Sequence, residues 1–284
     1  MFKVYRFNGI EKGANILFLG AVHGNEIAGT VAQKEIINQI EQGKIKLKKG
    51  NVTFVPCVNV EAQKKDVRFI GVNLNRVVRY HNNPKNNEEK IANKLVREID
   101  KCDVLLDLHS THCSEDVEFA FIDYPKDENL DLLSVLPVKK ALAGWPEIYK
   151  NNSNIDDFCT ERYAFDKGKV GITIECGYHK SKKSVEVAKR AILNVLAFYG
   201  CIDDVVQKEL SQIINLDRYV IKKNKGRMLR DYKHMSSVIK DEVLAVYDNG
   251  EKIKAPFDGY IIMPNHDALI GSEWFYLGRS VDNK

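Results

Sequence analysis

Residues 14–26 read ANILFLGAVHGNE. The first nine residues carry no charge and end in Gly and small side chains, which suits a buried strand. An imidazole and a carboxylate follow at once, at His23 and Glu26. Over 26–42 the apolar residues Ile27, Val31, Ile36, Ile37 and Ile40 recur at helical spacing, and Gly43 stops the helix. This strand–turn–helix unit sets the reading of the next 160 residues. NVTFVPCVNV (51–60), DVLLDL (103–108), VEFAFI (117–122) and KVGITIEC (169–176) are further strands. Helices are expected over 88–100, with Ile91, Leu95, Val96 and Ile99 on one side, over about 155–166, and over 182–199. Strands that are apolar throughout and separated by helices indicate an α/β fold, with a largely parallel or mixed sheet covered on both faces. Residues 61–87 are expected to be irregular and polar. Connections of that length are often functional.

After Gly200 the pattern changes. RYVIKK (218–223), EVLAVYD (242–248), GYIIMP (259–264) and EWFYLG (273–278) are short segments between turn signals such as Asp248-Asn249-Gly250 and Pro264-Asn265. They predict a small all-β domain entered through a linker near 200–212. The division expected is 1–205 for the α/β domain and 206–284 for the β-rich one.

The 284 residues include 43 Lys+Arg and 39 Asp+Glu, a net charge of +4. That balance is too slight and dispersed to argue for nucleic acid. No stretch approaches the roughly 20 apolar residues of a membrane helix, and the start, MFKVYRFNGIEKG, has no apolar leader core. The six cysteines form no C-x-x-C pair. They are expected to be buried thiols of a reducing compartment, which makes the cytoplasm the expected location.

Three strand ends carry ionisable groups: His23 and Glu26 after the first, Asp107 and His109 on the third, and Glu175 on the strand at 170–174. Ligands collect at the carboxyl ends of strands in open α/β sheets. His23, Glu26 and His109 make two imidazoles and one carboxylate, a common catalytic zinc set with an open position. Alone, H-x-x-E is a weak signal and is more simply a helix cap beside a surface histidine. Asp107, two residues before His109, suits an acceptor for its ring N–H. Glu175 ends an apolar strand, so it must be paired or functional, and beside an activated water it suits a general base. The loop Arg68 to Arg76 carries two arginines with Asn73 and Asn75, side chains suited to binding a carboxylate.

Taken together, His23-Gly24-Asn25-Glu26, Asn73-Leu74-Asn75-Arg76, Asp107-Leu108-His109-Ser110 and Ile174-Glu175-Cys176-Gly177 resemble the succinylglutamate desuccinylase/aspartoacylase family. This is a branch of the zinc carboxypeptidase-like hydrolases. The resemblance spans about 1–200 by motif order and implies a carboxypeptidase-like mixed sheet covered by helices, followed by a small β domain over part of the cleft. It implies one Zn2+ per chain on His23, Glu26 and His109, with Glu175 as catalytic acid/base. Asn75 and Arg76 would hold a substrate carboxylate, Arg68 would help polarise the scissile carbonyl, and Arg162 would be a further substrate-binding arginine. The implied partner is a small carboxylate-bearing N-acyl amino acid, and a homo-oligomer is compatible with the sequence.

The chain also departs from the family pattern. Residues 265–272 contain no Tyr at the place where the aspartoacylase branch brings one to substrate, which argues against N-acetylaspartate; His266 is the nearest replacement. His179 follows the catalytic glutamate by four positions, suited either to substrate contact or to the surface. His112 and Cys113 form an alternative soft ligand pair. Pro256-Phe257-Asp258-Gly259-Tyr260 looks like a turn of a biotinyl-type module, but no suitably framed lysine follows, so a lid or packing role is expected. The leading expectation is a zinc-dependent amidohydrolase. A metallocarboxypeptidase for short or cell-wall-type peptides and a catalytically inactive carboxylate-binding metalloprotein are the competing ones.

Overall fold

The computed structural model describes residues 1–150, 158–208 and 211–281. The chain folds into two compact units: Met1–Ala141 with Ile155–Ser211, and Leu142–Asn154 with Gln212–Lys284.

The first unit contains β1 (Tyr5–Asn8), β2 (Glu11–Gly20), α1 (Ala28–Glu41), β3 (Lys49–Val55), α2 (Val60–Lys64), a 3-10 turn (Leu74–Arg76), α3 (Asn87–Ile99), β4 (Val104–Thr111), β5 (Phe119–Phe121) and α4 (Asp127–Ser134). The chain crosses to the second unit within β6 (Lys140–Ala143) and passes through α5 (Trp145–Lys150). It returns to the first for α6 (Thr160–Asp166), β7 (Val170–Tyr178) and α7 (Lys182–Phe198). The strands of the first unit run β1-β3-β2-β4-β7-β5. The central pairs β3/β2, β2/β4 and β4/β7 are parallel, while β1 and β5 pair antiparallel at the flanks. This is the mixed, helix-covered sheet expected from the sequence.

Alternate side chains of each central strand point to opposite faces. On one face Leu17, Leu19, Val55 and Leu105 pack with Ile91, Leu95 and Ile99 of α3 and Ala164 of α6. On the other, Gly29 of α1 lies against Leu108, where an added Cβ would fall 2.7 Å from Leu108 Cβ. Helices α1 and α7 are joined by the Lys189–Glu35 ion pair at 2.9 Å.

Several boundaries differ from the sequence expectation. The strand placed at 51–60 ends at Val55. Pro56 brings no N–H to a ladder, and Asn59 accepts from Ala62 N, starting α2. The 61–87 stretch therefore holds α2 and the 3-10 turn. The helix expected over about 155–166 starts at Thr160, and 155–157 lie outside the described residues.

The second unit contains β8 (Gln212–Ile221), β9 (Gly226–Met228), β10 (Ser236–Val238), β11 (Val243–Tyr247), β12 (Lys252–Lys254), β13 (Gly259–Ile262) and β14 (Glu273–Val281). All their recorded pairings are antiparallel: β8-β14-β13-β10 in one run and β12-β11-β9 in a small sheet. Trp274, Phe275, Leu244 and Ile261 fill its core. Trp145 of α5 meets Tyr276 edge-on at 4.6 Å. The expected all-β texture of the C-terminal region is thus present. Among the described residues no helix is long and apolar enough to cross a membrane.

Candidate metal centre

Strand register brings the ionisable residues to one place. Leu19 pairs with Asp107 across β2/β4, and His109 pairs with Glu175 across β4/β7. Both ladders are parallel, so all three strands reach the site with their carboxyl ends.

The turn after β2 is tightly constrained. Ala21 holds a left-handed φ of 46°, a conformation disfavoured for a residue with a Cβ. The Val58 N–H donates to Gly20 O and the Asn59 N–H to Ala21 O, both at 2.9 Å, which braces it. At Gly24 a Cβ would lie 2.3 Å from the backbone of Ala62 and Gln63, so only glycine allows this approach to α2. The Glu26 N–H donates to His23 O at 3.2 Å, and that closes the turn and folds the two side chains together.

The resulting cluster is buried, with His23, Glu26 and His109 each at most 3% exposed. Glu26 lies between the imidazoles: Oε1 is 2.9 Å from His23 Nδ1, and Oε2 is 2.8 Å from His109 Nδ1. The two Nδ1 atoms are 3.1 Å apart. Ligands at about 2.1 Å from a tetrahedral ion stand about 3.4 Å apart, so the set needs only a few tenths of an ångström to accept one. Among the described residues this is the group of histidine, cysteine and carboxylate side chains with metal-holding spacing; the alternative at His112 and Cys113 makes no such group. The far nitrogens are backed differently. His23 Nε2 is 3.0 Å from Asn73 Oδ1, and His109 Nε2 is 3.0 Å from Asp107 Oδ2. The first is a hydrogen bond, which fixes the ring nitrogen that faces a metal; the second is an ion-pair approach without hydrogen-bond geometry. The site is consistent with a single metal ion.

Burial alone would raise Glu26, but His23 and His109 hold it well below the usual carboxylate range. Burial pushes His23 down. Burial works the same way on His109, yet Asp107 and Glu26 keep it well above its ordinary value. Glu175 is partly exposed, with Oε2 enclosed and without a hydrogen-bond partner. Burial, then the charge of Glu26, pushes its carboxyl up to about 8. Perturbed carboxylates of this kind concentrate at functional sites.

Arg68, about half exposed, reaches Glu26 with NH1 2.7 Å from Oε1. Its loop is anchored by the buried Glu88, which accepts from the N–H groups of Ile70 (3.1 Å) and Gly71 (3.3 Å). Asn75 Oδ1 accepts from Thr160 N at 3.1 Å, so its amide N–H groups point the other way and are donors for an anion. Arg76 NH1 donates to Asn75 O at 2.8 Å. Arg162 Nε sits 2.8 and 2.9 Å from the two Asp166 oxygens, and its guanidinium lies over Tyr124. The His179 N–H donates to Thr111 O at 2.9 Å, which sets it just past the site. His266 Nε2 faces Tyr232 O at 3.0 Å within the second unit.

A model of the succinylglutamate desuccinylase/aspartoacylase catalytic domain matches residues 12–199. The chain belongs to that family. Solved structures with the same fold include a succinylglutamate desuccinylase/aspartoacylase from Rhodobacter sphaeroides, with a TM-score of 0.78, 16% identity, and 99% of this chain and 90% of that one covered. A product-bound ectoine utilization protein EutE (DoeB) from Ruegeria pomeroyi gives 0.75 at 21% identity, covering 98% and 88%. A succinylglutamate desuccinylase from Vibrio parahaemolyticus gives 0.74 at 19%, covering 99% and 87%. At these identities the likeness shows the fold. No curated protein matches the chain by sequence. Within the family's hydrolase fold, the His23–Glu26–His109 cluster occupies the strand ends where the motifs put it.

Three residues of the site have contacts that sequence reasoning missed. Asn73 was read only as a group suited to a carboxylate, whereas its Oδ1 faces His23 Nε2. Glu88 looked like an ordinary acidic residue in a first helical turn, and Thr160 carried no signal.

Proposed function

We propose that this family member is a zinc-dependent hydrolase that cleaves the amide bond of a small N-acyl amino acid bearing a carboxylate. The observation that best supports this reading is the convergence of two imidazole Nδ1 atoms and one carboxylate, all buried, beside a glutamate whose carboxyl burial has raised. In this reading His23, Glu26 and His109 would hold zinc, which when bound would activate water and polarise an acyl carbonyl. Glu175 takes the proton from the attacking water and returns it to the departing amine nitrogen. Arg68, paired with Glu26, would steady charge that develops on the acyl oxygen. Asn75, its amide donors turned away from Thr160, grips the substrate carboxylate together with Arg76. Arg162, which pairs with Asp166 in this structure, is a further candidate for holding the substrate carboxylate. All these residues come from the portion up to about residue 205, and 206–284 form an accessory β module.

The test is a hydrolysis screen of zinc-loaded protein against N-acetyl, N-formyl and N-succinyl amino acids. Release of a free amine from at least one class, abolished by chelation, is the expected result. Stoichiometric zinc without turnover of any acyl amino acid, accompanied by cleavage of short peptides, would replace the deacylase with a carboxypeptidase.

A further inference from the structure

The candidate ligands and the candidate substrate-binding amide belong to one closed circuit of contacts. His23 Nε2 meets Asn73 Oδ1 at 3.0 Å, and the same oxygen accepts from Asn75 N at 3.0 Å. Asn75 Oδ1 accepts from Thr160 N at 3.1 Å, and Thr160 Oγ1 donates to Asp107 Oδ2 at 2.6 Å. That oxygen lies 3.0 Å from His109 Nε2. Glu26 closes the circuit between the two Nδ1 atoms. Asn73 links His23 to Asn75 on one side of the circuit; Thr160 links Asp107 to Asn75 on the other, and it is fully buried. It engages Asp107 through its hydroxyl and Asn75 through its backbone.

We infer that Thr160 is a positioning residue that joins the metal ligands to the substrate-binding amide. Its hydroxyl orients Asp107 against His109, and its N–H holds the Asn75 amide with the donors outward and the Asn73 side chain against His23. This inference rests on the metal reading given above. Asp107 is completely enclosed, and its Oδ1 has no hydrogen-bond partner. The hydroxyl is therefore the neutral contact that pins the carboxylate's rotation. Without it, Asp107 can turn away from His109, and the ring loses the carboxylate charge that stands 3.0 Å from its Nε2. Contacts of this rank alter metal affinity by about 10- to 100-fold.

The position allows the two contacts to be removed one at a time. Thr160→Val keeps the shape and the N–H but loses the hydroxyl. Thr160→Pro loses both, and proline is accepted at the first residue of a helix, which Thr160 is, with Cys159 extended before it. Thr160→Ser keeps both. The measurement is zinc affinity of the whole chain by competition with a chelator. The expected result is wild-type affinity within about threefold for T160S, about tenfold weaker binding for T160V, and weaker binding still for T160P. Should T160V fail to fold, Thr160→Ala carries the same expectation. Wild-type affinity in T160V, or T160S as weak as T160V, overturns the role of the hydroxyl. Equal affinities in T160V and T160P overturn the role of the N–H. A wild-type chain that binds no zinc overturns the metal reading itself, and that outcome is distinct from the other two.

Discussion

His109 and Glu175 are register partners across the parallel β4–β7 ladder. Partners in a parallel ladder project on the same face, so the imidazole of one strand and the carboxyl of the next are set side by side by backbone pairing. The chemistry proposed here needs that adjacency. A proton carrier must stand beside the water it serves, and the ladder spaces neighbouring strands by about 4.8 Å.

The two partners have separable roles. Glu175→Gln is expected to retain zinc at one equivalent and lose about 10²- to 10⁴-fold in turnover. His109→Ala is expected to lose both, because it removes one of three ligands. Metal analysis alongside the hydrolysis assay reads the difference. Full zinc occupancy in the His109 variant would remove it from the ligand set.

Glu175 also predicts a pH dependence of stability in the zinc-free protein. Its carboxyl is raised from an ordinary 4.5 to about 8 in the folded state, chiefly by burial. Between those values the folded chain holds a proton that the unfolded chain releases. The contribution is fully present below about pH 4.5 and is lost as pH rises through about 8. The stability difference between wild type and Glu175→Gln should therefore fall between about pH 5 and 8, as measured by urea unfolding across that range. A flat difference would mean that the carboxyl titrates normally.

The loop carrying Arg68 depends on Glu88. Glu88→Ala strips the partner from the Ile70 and Gly71 N–H groups, at a cost of about 1–3 kcal/mol. Glu88→Gln keeps an acceptor oxygen and should cost less. Denaturant unfolding of the two variants gives the comparison, and an alanine variant as stable as wild type would show that the loop is held by other contacts.

Gly24 predicts a local packing failure. A methyl at this position would meet the α2 backbone at 2.3 Å, with no flexible side chain to yield. Gly24→Ala should lose about 2 kcal/mol or more and shift His23, so zinc affinity should fall together with stability. Wild-type zinc binding in this variant would mean that the turn adapts without moving the imidazole.

Some of this protein was written in local sequence. The apolar run before His23, the helical spacing over 26–42, and the turn-rich segments after 212 report strands, helix and β texture, because each signal lies between near neighbours on the chain. The residue types of the candidate site were also visible, since His, Glu and Arg are conspicuous at the ends of apolar strands. Tertiary structure alone decided the geometry. Thr160 meets Asp107 across 53 positions and Asn75 across 85, and no periodicity carries such pairings. Asn73 shows the same limit from the other side: its amide suited a substrate carboxylate, but its Oδ1 faces His23 Nε2 across 50 positions. Sequence determined which groups are available. Strand register and the packing of the turns determined which of them meet, because a contact depends on where two distant backbones bring their side chains.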